Sequence, residues 1–172
     1  MDLASTIRSV PDFPIEGILF YDITTLLKNP KALKSTVDQL TDRYANASID
    51  VVVGMESRGF IFGMPLAYQL GVGFVPVRKP GKLPADTISE SYALEYGTNT
   101  LEMHRDGIEP GQRVLVVDDL LATGGTAKAT CNLVERLGGT VASAAFVIEL
   151  TFLKGRDKLQ GYDIFSLLKY DE

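Results

Sequence analysis

Short apolar runs alternate along this chain with longer stretches in which apolar positions recur every three or four residues. The runs IDVVVG (49–54), RVLVVD (113–118) and VASAAFVIEL (141–150) have few polar interruptions, which predicts strands buried on both faces. VGFVPV (72–77) and FSLLKY (165–170) read as two more. Leu33, Val37, Leu40 and Tyr44 fall at helical spacing and predict a helix over 30–46; 58–70 and 125–137 carry the same period. Strands alternating with helices imply an α/β fold, a mostly parallel twisted sheet with helices on both faces. Two regions break the pattern. At the N-terminus, 2–10 read as a short helix closed by Pro11 and Pro14, and GILFYDIT (17–24) as an apolar loop or short extended piece. In the middle, RKPGKLPADT (78–87) has the prolines, glycine and cations of a mobile loop. SESYALEYG (89–97) and NTLEMHR (99–105) then read as antiparallel strands around Gly97, a flap on the parallel sheet, and EPGQ (109–112) as a turn.

In open sheets of this kind, ligands bind beyond the carboxyl ends of the strands. That rule selects three segments: those following Gly54, Arg78 and Asp118. The chain has 172 residues, enough for one domain over a real core, and its 45% apolar and 23% charged residues are an ordinary globular balance. Its net charge of −5 gives no basic footprint for nucleic acid, so any bound phosphate must be held by local groups. Cys131 is the single cysteine, which excludes an internal disulfide framework and fits a reducing compartment. No apolar run approaches the roughly 18 residues of a membrane span. MDLASTIRSVPDFP lacks the basic-then-apolar layout of a signal peptide. The expectation is a soluble cytoplasmic protein without repeats, with no membrane or nucleic-acid partner.

The densest chemistry lies in VLVVDDLLATGGTA (114–127). An apolar strand runs into two adjacent carboxylates, Asp118 and Asp119, and then into Ala122, Thr123, Gly124, Gly125, Thr126 and Ala127 before a helix. A helix N-terminus offers unpaired N–H groups and a partial positive charge, glycines let an anion come close, and threonine hydroxyls add donors. The spacing fits neither a Walker A loop nor GxGxxG. Carboxylates beside a phosphate cradle would repel the ligand unless they face something else, and vicinal sugar hydroxyls suit them. A ribose 5-phosphate satisfies both halves, and Mg2+ bridging sugar oxygens fits the same neighbourhood.

This string closely resembles the phosphoribosyl-pyrophosphate (PRPP) motif of the type I phosphoribosyltransferases. PDFPIEGILFYDIT, GMESRGFIFG, RKPGKLP, SYALEYG, EPGQRVLVVDD and IELTFLKGRDKL are similar to strings of the adenine-using members, and the likeness runs from about 7 to 170. The resemblance implies one domain over 1–172, with about 1–30 forming a base-binding hood and about 78–105 a flexible catalytic loop and hairpin. It implies transfer of the phosphoribosyl group of PRPP to adenine, giving AMP and pyrophosphate. Mg2+ would be carried mainly by PRPP and water, near Asp118, with no direct protein ligand expected, and the assembly would be a homodimer. Glu56, Ser57 and Arg58 would hold pyrophosphate in a loop that often has a cis peptide near Glu56–Ser57. Arg78, Lys79 and Lys82 would neutralise the leaving group. Glu95, with Tyr96 beside it, would manage the base's proton, as an acid at N7 or a base at N9. Leu19 and Arg58 would offer backbone carbonyls to the adenine amine, and Phe20 and Leu150 would sandwich the ring. Glu90 and Glu102 are expected to be solvated, and His104 and Cys131 structural. Hypoxanthine or guanine as substrate stays open. So does a non-catalytic PRPP-sensing regulator on the same fold, although the net charge and the lack of an added domain disfavour it. A ribose-gripping enzyme of another kind, such as a methyltransferase, leaves TGGT and the 78–82 cations without a task.

Overall fold

The apolar runs meet in a single five-stranded sheet. In the computed structural model, which describes residues 1–172, the chain order is β1 (Arg8–Pro11), β2 (Leu19–Asp22), α1 (Thr24–Leu27), α2 (Pro30–Tyr44), β3 (Val51–Met55), α3 (Arg58–Leu70), β4 (Gly73–Val77), β5 (Thr87–Ala93), β6 (Thr98–His104), β7 (Arg113–Leu121), α4 (Gly125–Arg136), β8 (Thr140–Leu150) and β9 (Ile164–Tyr170). The large sheet has the order β4-β3-β7-β8-β9, and every pair in it is parallel. Strand alternation sends side chains to opposite faces, and here both faces are covered. Val51, Val53, Met55, Val114 and Val116 enter one core with Ala127, Cys131 and Leu133 of α4. Val52, Leu115 and Val117 enter the other with Leu40 of α2 and Phe62 and Leu66 of α3.

Local signals fix the helix ends. Asn29 caps α2, its side chain accepting from the amides of Lys31 and Ala32, and Pro30 occupies the first turn, where its missing N–H costs nothing. Gly71 closes α3 in the left-handed conformation (φ 71°). β5 and β6 form the expected hairpin, with Tyr92 opposite Asn99.

The N-terminus departs from expectation. In place of a helix over 2–10, Ala4–Thr6 form one 3-10 turn, and β1 pairs antiparallel with β2, Val10 opposite Phe20. The segment is too short to sustain a helix alone, and Pro11 biases the residue before it toward extended backbone. LFYD at 19–22 supplies the partner. Phe13 packs edge-on against Phe20 at 5.1 Å between ring centroids, and Tyr21 stacks on Tyr170 at 3.9 Å, fastening this small sheet to β9. β7 also runs on past Asp118, to Leu121. The two acids lie within the strand, because β8 continues beside it and pairs Leu120 with Ile148 and Leu121 with Glu149.

Candidate active site

The strand order reverses between β3 and β7, so the loops after them diverge and leave a crevice. The three selected segments converge there, because β4, β3 and β7 are neighbours. Gly59 sets the approach of α3 to β7: a Cβ on it would stand 3.0 Å from the Val117 carbonyl and 3.2 Å from Asp118 Oδ1. This contact delivers Arg58, whose Nε donates to Asp119 Oδ2 at 2.6 Å. Asp119 is buried, and the Arg58 side chain is half exposed. Asp118 Oδ1 accepts from the Asp119 amide at 2.8 Å. Burial and the neighbouring Asp119 charge push the Asp118 carboxyl well above the usual carboxylate range.

The loop after β3 carries a cis peptide between Glu56 and Ser57. Glu56 gathers the basic segment: its carboxylate accepts from Lys82 Nζ at 2.6 Å, the Lys79 amide at 2.8 Å and Arg78 Nε at 3.3 Å. Burial raises the Glu56 carboxyl, but Lys82, the Lys79 amide and Arg78 outweigh it and hold the group below its ordinary value. The same segment is tied to the hairpin. Arg78 and Glu102 exchange backbone hydrogen bonds, and Glu102 accepts from the Gly81 amide at 3.0 Å and from Thr87 Oγ1. Glu90 pairs with Arg136. Glu102 and Glu90, expected to be solvated, thus serve as loop and hairpin anchors.

After β7, Ala122–Gly124 turn sharply into α4, with Gly124 at φ +88°. The turn is closely backed, since a Cβ on Gly124 would lie 2.5 Å from the Gly155 carbonyl oxygen. In front of it is a cavity of ≈ 190 Å³ lined by Arg58, Asp118, Asp119 and residues 120–127. A second cavity of ≈ 410 Å³ adjoins it, walled by Val10, Phe13 and Phe20 on one side and by Leu120 and Ile148, paired across β7 and β8, on the other. Arg58, Asp119 and Leu120 line both. The result is an apolar slot opening onto a cradle of carboxylates, amides and hydroxyls.

Residues 22–167 match the family model described as phosphoribosyl transferase domain. The adenine phosphoribosyltransferase of Chloroflexus aurantiacus is 63% identical over 169 residues, 98% of each chain. The chain belongs to the adenine phosphoribosyltransferase family. The crystal structure of an adenine phosphoribosyltransferase from Thermoanaerobacter pseudethanolicus superposes with a TM-score of 0.95 at 57% identity, covering 98% of both chains. That of Saccharomyces cerevisiae, complexed with D-2,5-dideoxy-2,5-imino-altritol 1,6-bisphosphate and adenine, gives 0.91 at 44% identity, covering 97% of both.

In this adenine phosphoribosyltransferase fold, Arg58, Asp118, Asp119 and the 122–127 turn line the smaller cavity and Phe20 the apolar slot, whereas Glu56 and Ser57 lie in the loop after β3, outside the lining of both. Glu95 and Tyr96 sit exposed at the hairpin turn, outside the lining of either cavity. Leu19 is 40% exposed and also lies off the lining. Leu150, one pleat beyond Ile148, packs on the α2–α3 core, so Ile148 and Leu120 make the wall expected of it. Val10, Phe13, Leu120 and Ile148 line the slot without standing out as site residues in the sequence. The alternation of β8 is the one signal that could have found Ile148, since it shares a face with Leu150.

Proposed function

We propose that this chain carries out the reaction for which its relatives are named: transfer of the 5-phosphoribosyl group of PRPP to adenine, giving AMP and pyrophosphate. The observation that carries the reading is the pair of adjoining cavities bridged by Arg58 and Asp119, one suited to a flat apolar base and the other to a sugar phosphate. The purine stacks between Phe20 and the Leu120–Ile148 wall, with Leu150 at its rim, a contact worth roughly 1–3 kcal/mol per base. Backbone carbonyls at Leu19 and Arg58 accept from the exocyclic amine. Asp118 and Asp119 accept the ribose hydroxyls and lie close to the positive charge that develops at C1 as the glycosidic bond breaks. Amides and hydroxyls of 122–127 anchor the 5′-phosphate, and this remote binding orients the reacting carbon. Arg78 and Lys82 exchange the Glu56 carboxylate for pyrophosphate oxygens beside Ser57 and Arg58, and the Lys79 ammonium, which Glu56 does not engage, joins them.

Glu95, with Tyr96, reaches the base as the hairpin and the 78–87 segment close over it, and handles the proton at N7 or N9. The N-terminal hood, about 1–30, and the flap, about 78–105, thus act as two lids on one domain. Asp118 and Asp119 are hard oxygen donors of the type Mg2+ prefers; Asp119 is engaged by Arg58, which leaves Asp118, through water, to hold the ion that enters with PRPP. Bound there, Mg2+ would neutralise charge on the pyrophosphate. Assembly is proposed as a homodimer in the cytoplasm. A shallow apolar groove between α2 and α3, lined by Leu33, Val37, Ile61 and Pro65 and flanked by exposed Met64 and Tyr68, is the face for the second copy.

The test is direct. The protein is mixed with Mg2+, PRPP and, in turn, adenine, hypoxanthine and guanine, and nucleotide and pyrophosphate are measured. AMP from adenine alone is expected. IMP or GMP in its place would move the assignment to another purine, and no nucleotide with any base would overturn catalysis. Light scattering on a sizing column, where a dimer doubles the 18.7 kDa chain, tests the assembly.

A further inference from the structure

One side-chain hydrogen bond joins the flap to the first turn of α4. The Tyr92 hydroxyl, on β5, lies 2.8 Å from Thr126 Oγ1, and Asn99 Nδ2, opposite it on β6, donates to the same phenol at 3.4 Å. The Tyr92 ring covers Gly125 so closely that a Cβ there would stand 2.8 Å from Cδ2. Tyr92 lines neither compartment of the cleft, whereas Thr126 lines the smaller one. From this geometry we infer that Tyr92 is a positioning residue for PRPP: it turns the Thr126 hydroxyl proton toward the 5′-phosphate.

The polarity follows from what each group can do. A hydroxyl has one proton and two lone pairs, and an amide NH2 only donates. Asn99 therefore occupies an acceptor site on the phenol and leaves the phenol proton for Thr126. Thr126, accepting from Tyr92, keeps its own proton for a third partner. A phosphate dianion is an acceptor, and donors that arrive pre-aligned lose little in reorganising around it. Chained donors also polarise one another. Without the phenol, Thr126 Oγ1 rotates freely and spends part of its time donating elsewhere.

The inference rests on the proposal that 122–127 bind the 5′-phosphate, and the variants separate the two. Tyr92→Phe keeps the ring over Gly125 and removes only the hydroxyl. Thr126→Ala removes its partner, and the double variant closes the cycle. Melting temperature, KM for PRPP, KM for adenine and kcat are measured for each. Tyr92→Phe is expected to raise the PRPP KM about tenfold, with the adenine KM, kcat and melting temperature close to wild type. The double variant is expected to be no worse than Thr126→Ala alone. If Thr126→Ala leaves the PRPP KM unchanged, the phosphate assignment fails and this inference with it. If Thr126→Ala raises it and Tyr92→Phe does not, the inference alone fails. Additive losses, or a loss confined to kcat or to adenine, would likewise overturn it, because Tyr92 would then act by another route.

Discussion

A carboxylate partly withdrawn from water near a strand end, beside a second one, makes the empty protein less stable than it could be. Asp118 is such a group: burial and the adjacent Asp119 raise its folded value well above that of the unfolded chain. A raised acid contributes its stability below the unfolded value and loses it as pH rises through the folded one, so near neutrality the folded state bears the cost. Asp118→Asn keeps an oxygen for the Asp119 amide and removes the charge. Its melting temperature is expected to exceed wild type at pH 7, with the difference closing as pH falls below the ordinary aspartate range. The same variant is expected to raise the KM for PRPP at least tenfold, since a carboxylate–hydroxyl bond is lost. Equal melting temperatures across the pH range would remove the argument. The pair of acids was visible in the sequence because charges rarely follow four apolar residues without a task. Its neutralisation by Arg58 was not, since 61 residues separate the two and only the docking of α3 on β7 joins them.

Elements were legible where their burial is simple. β3, β7 and β8 sit between two covered faces, so their apolar runs stood out, and the spacing of Leu33, Val37, Leu40 and Tyr44 marked α2. β1 was not legible, because a four-residue strand with one partner carries little period and its pairing with β2 is a tertiary fact. The outer end of β7 was cut short for a related reason: acids look like a strand terminus unless the adjacent β8 is known to continue. The small residues before α4 marked a sharp turn in the sequence, and its physical demand is specific. Gly124 has φ +88°, and a Cβ would meet the Gly155 carbonyl oxygen at 2.5 Å. Gly124→Ala therefore strains the backbone and displaces the 155–159 turn together. A loss of about 2 kcal/mol or more is expected, a drop of about 4–8 °C for a chain of this size, with PRPP use falling further than adenine binding. Calorimetry and steady-state kinetics on the variant check both, and a wild-type melting point would show that the contact yields easily.

The two cores lie on opposite faces of one sheet and are built from alternate residues of the same strands, so neither can dissolve while the other persists. That makes the molecule a single cooperative unit, and each face carries a natural reporter. On the α4 face Cys131 is fully buried, and burial pushes its thiol up to about 12, so it is inert to alkylation until α4 leaves the sheet. On the α2 face Tyr44 is 2% exposed and its hydroxyl bonds Ser143 at 2.8 Å. Thiol labelling and the part of the near-ultraviolet tyrosine signal that is lost in a Tyr44→Phe control, six other tyrosines contributing the rest, are therefore expected to follow one melting curve. PRPP with Mg2+ binds across loops rooted in β3, β4 and β7, so it should move both probes together. At a hundredfold excess over Kd the linkage is worth about 2.7 kcal/mol, or about 5–10 °C. If the thiol becomes reactive below the tyrosine transition, α4 and the turn before it open as a separate unit, and PRPP should then protect Cys131 more than Tyr44.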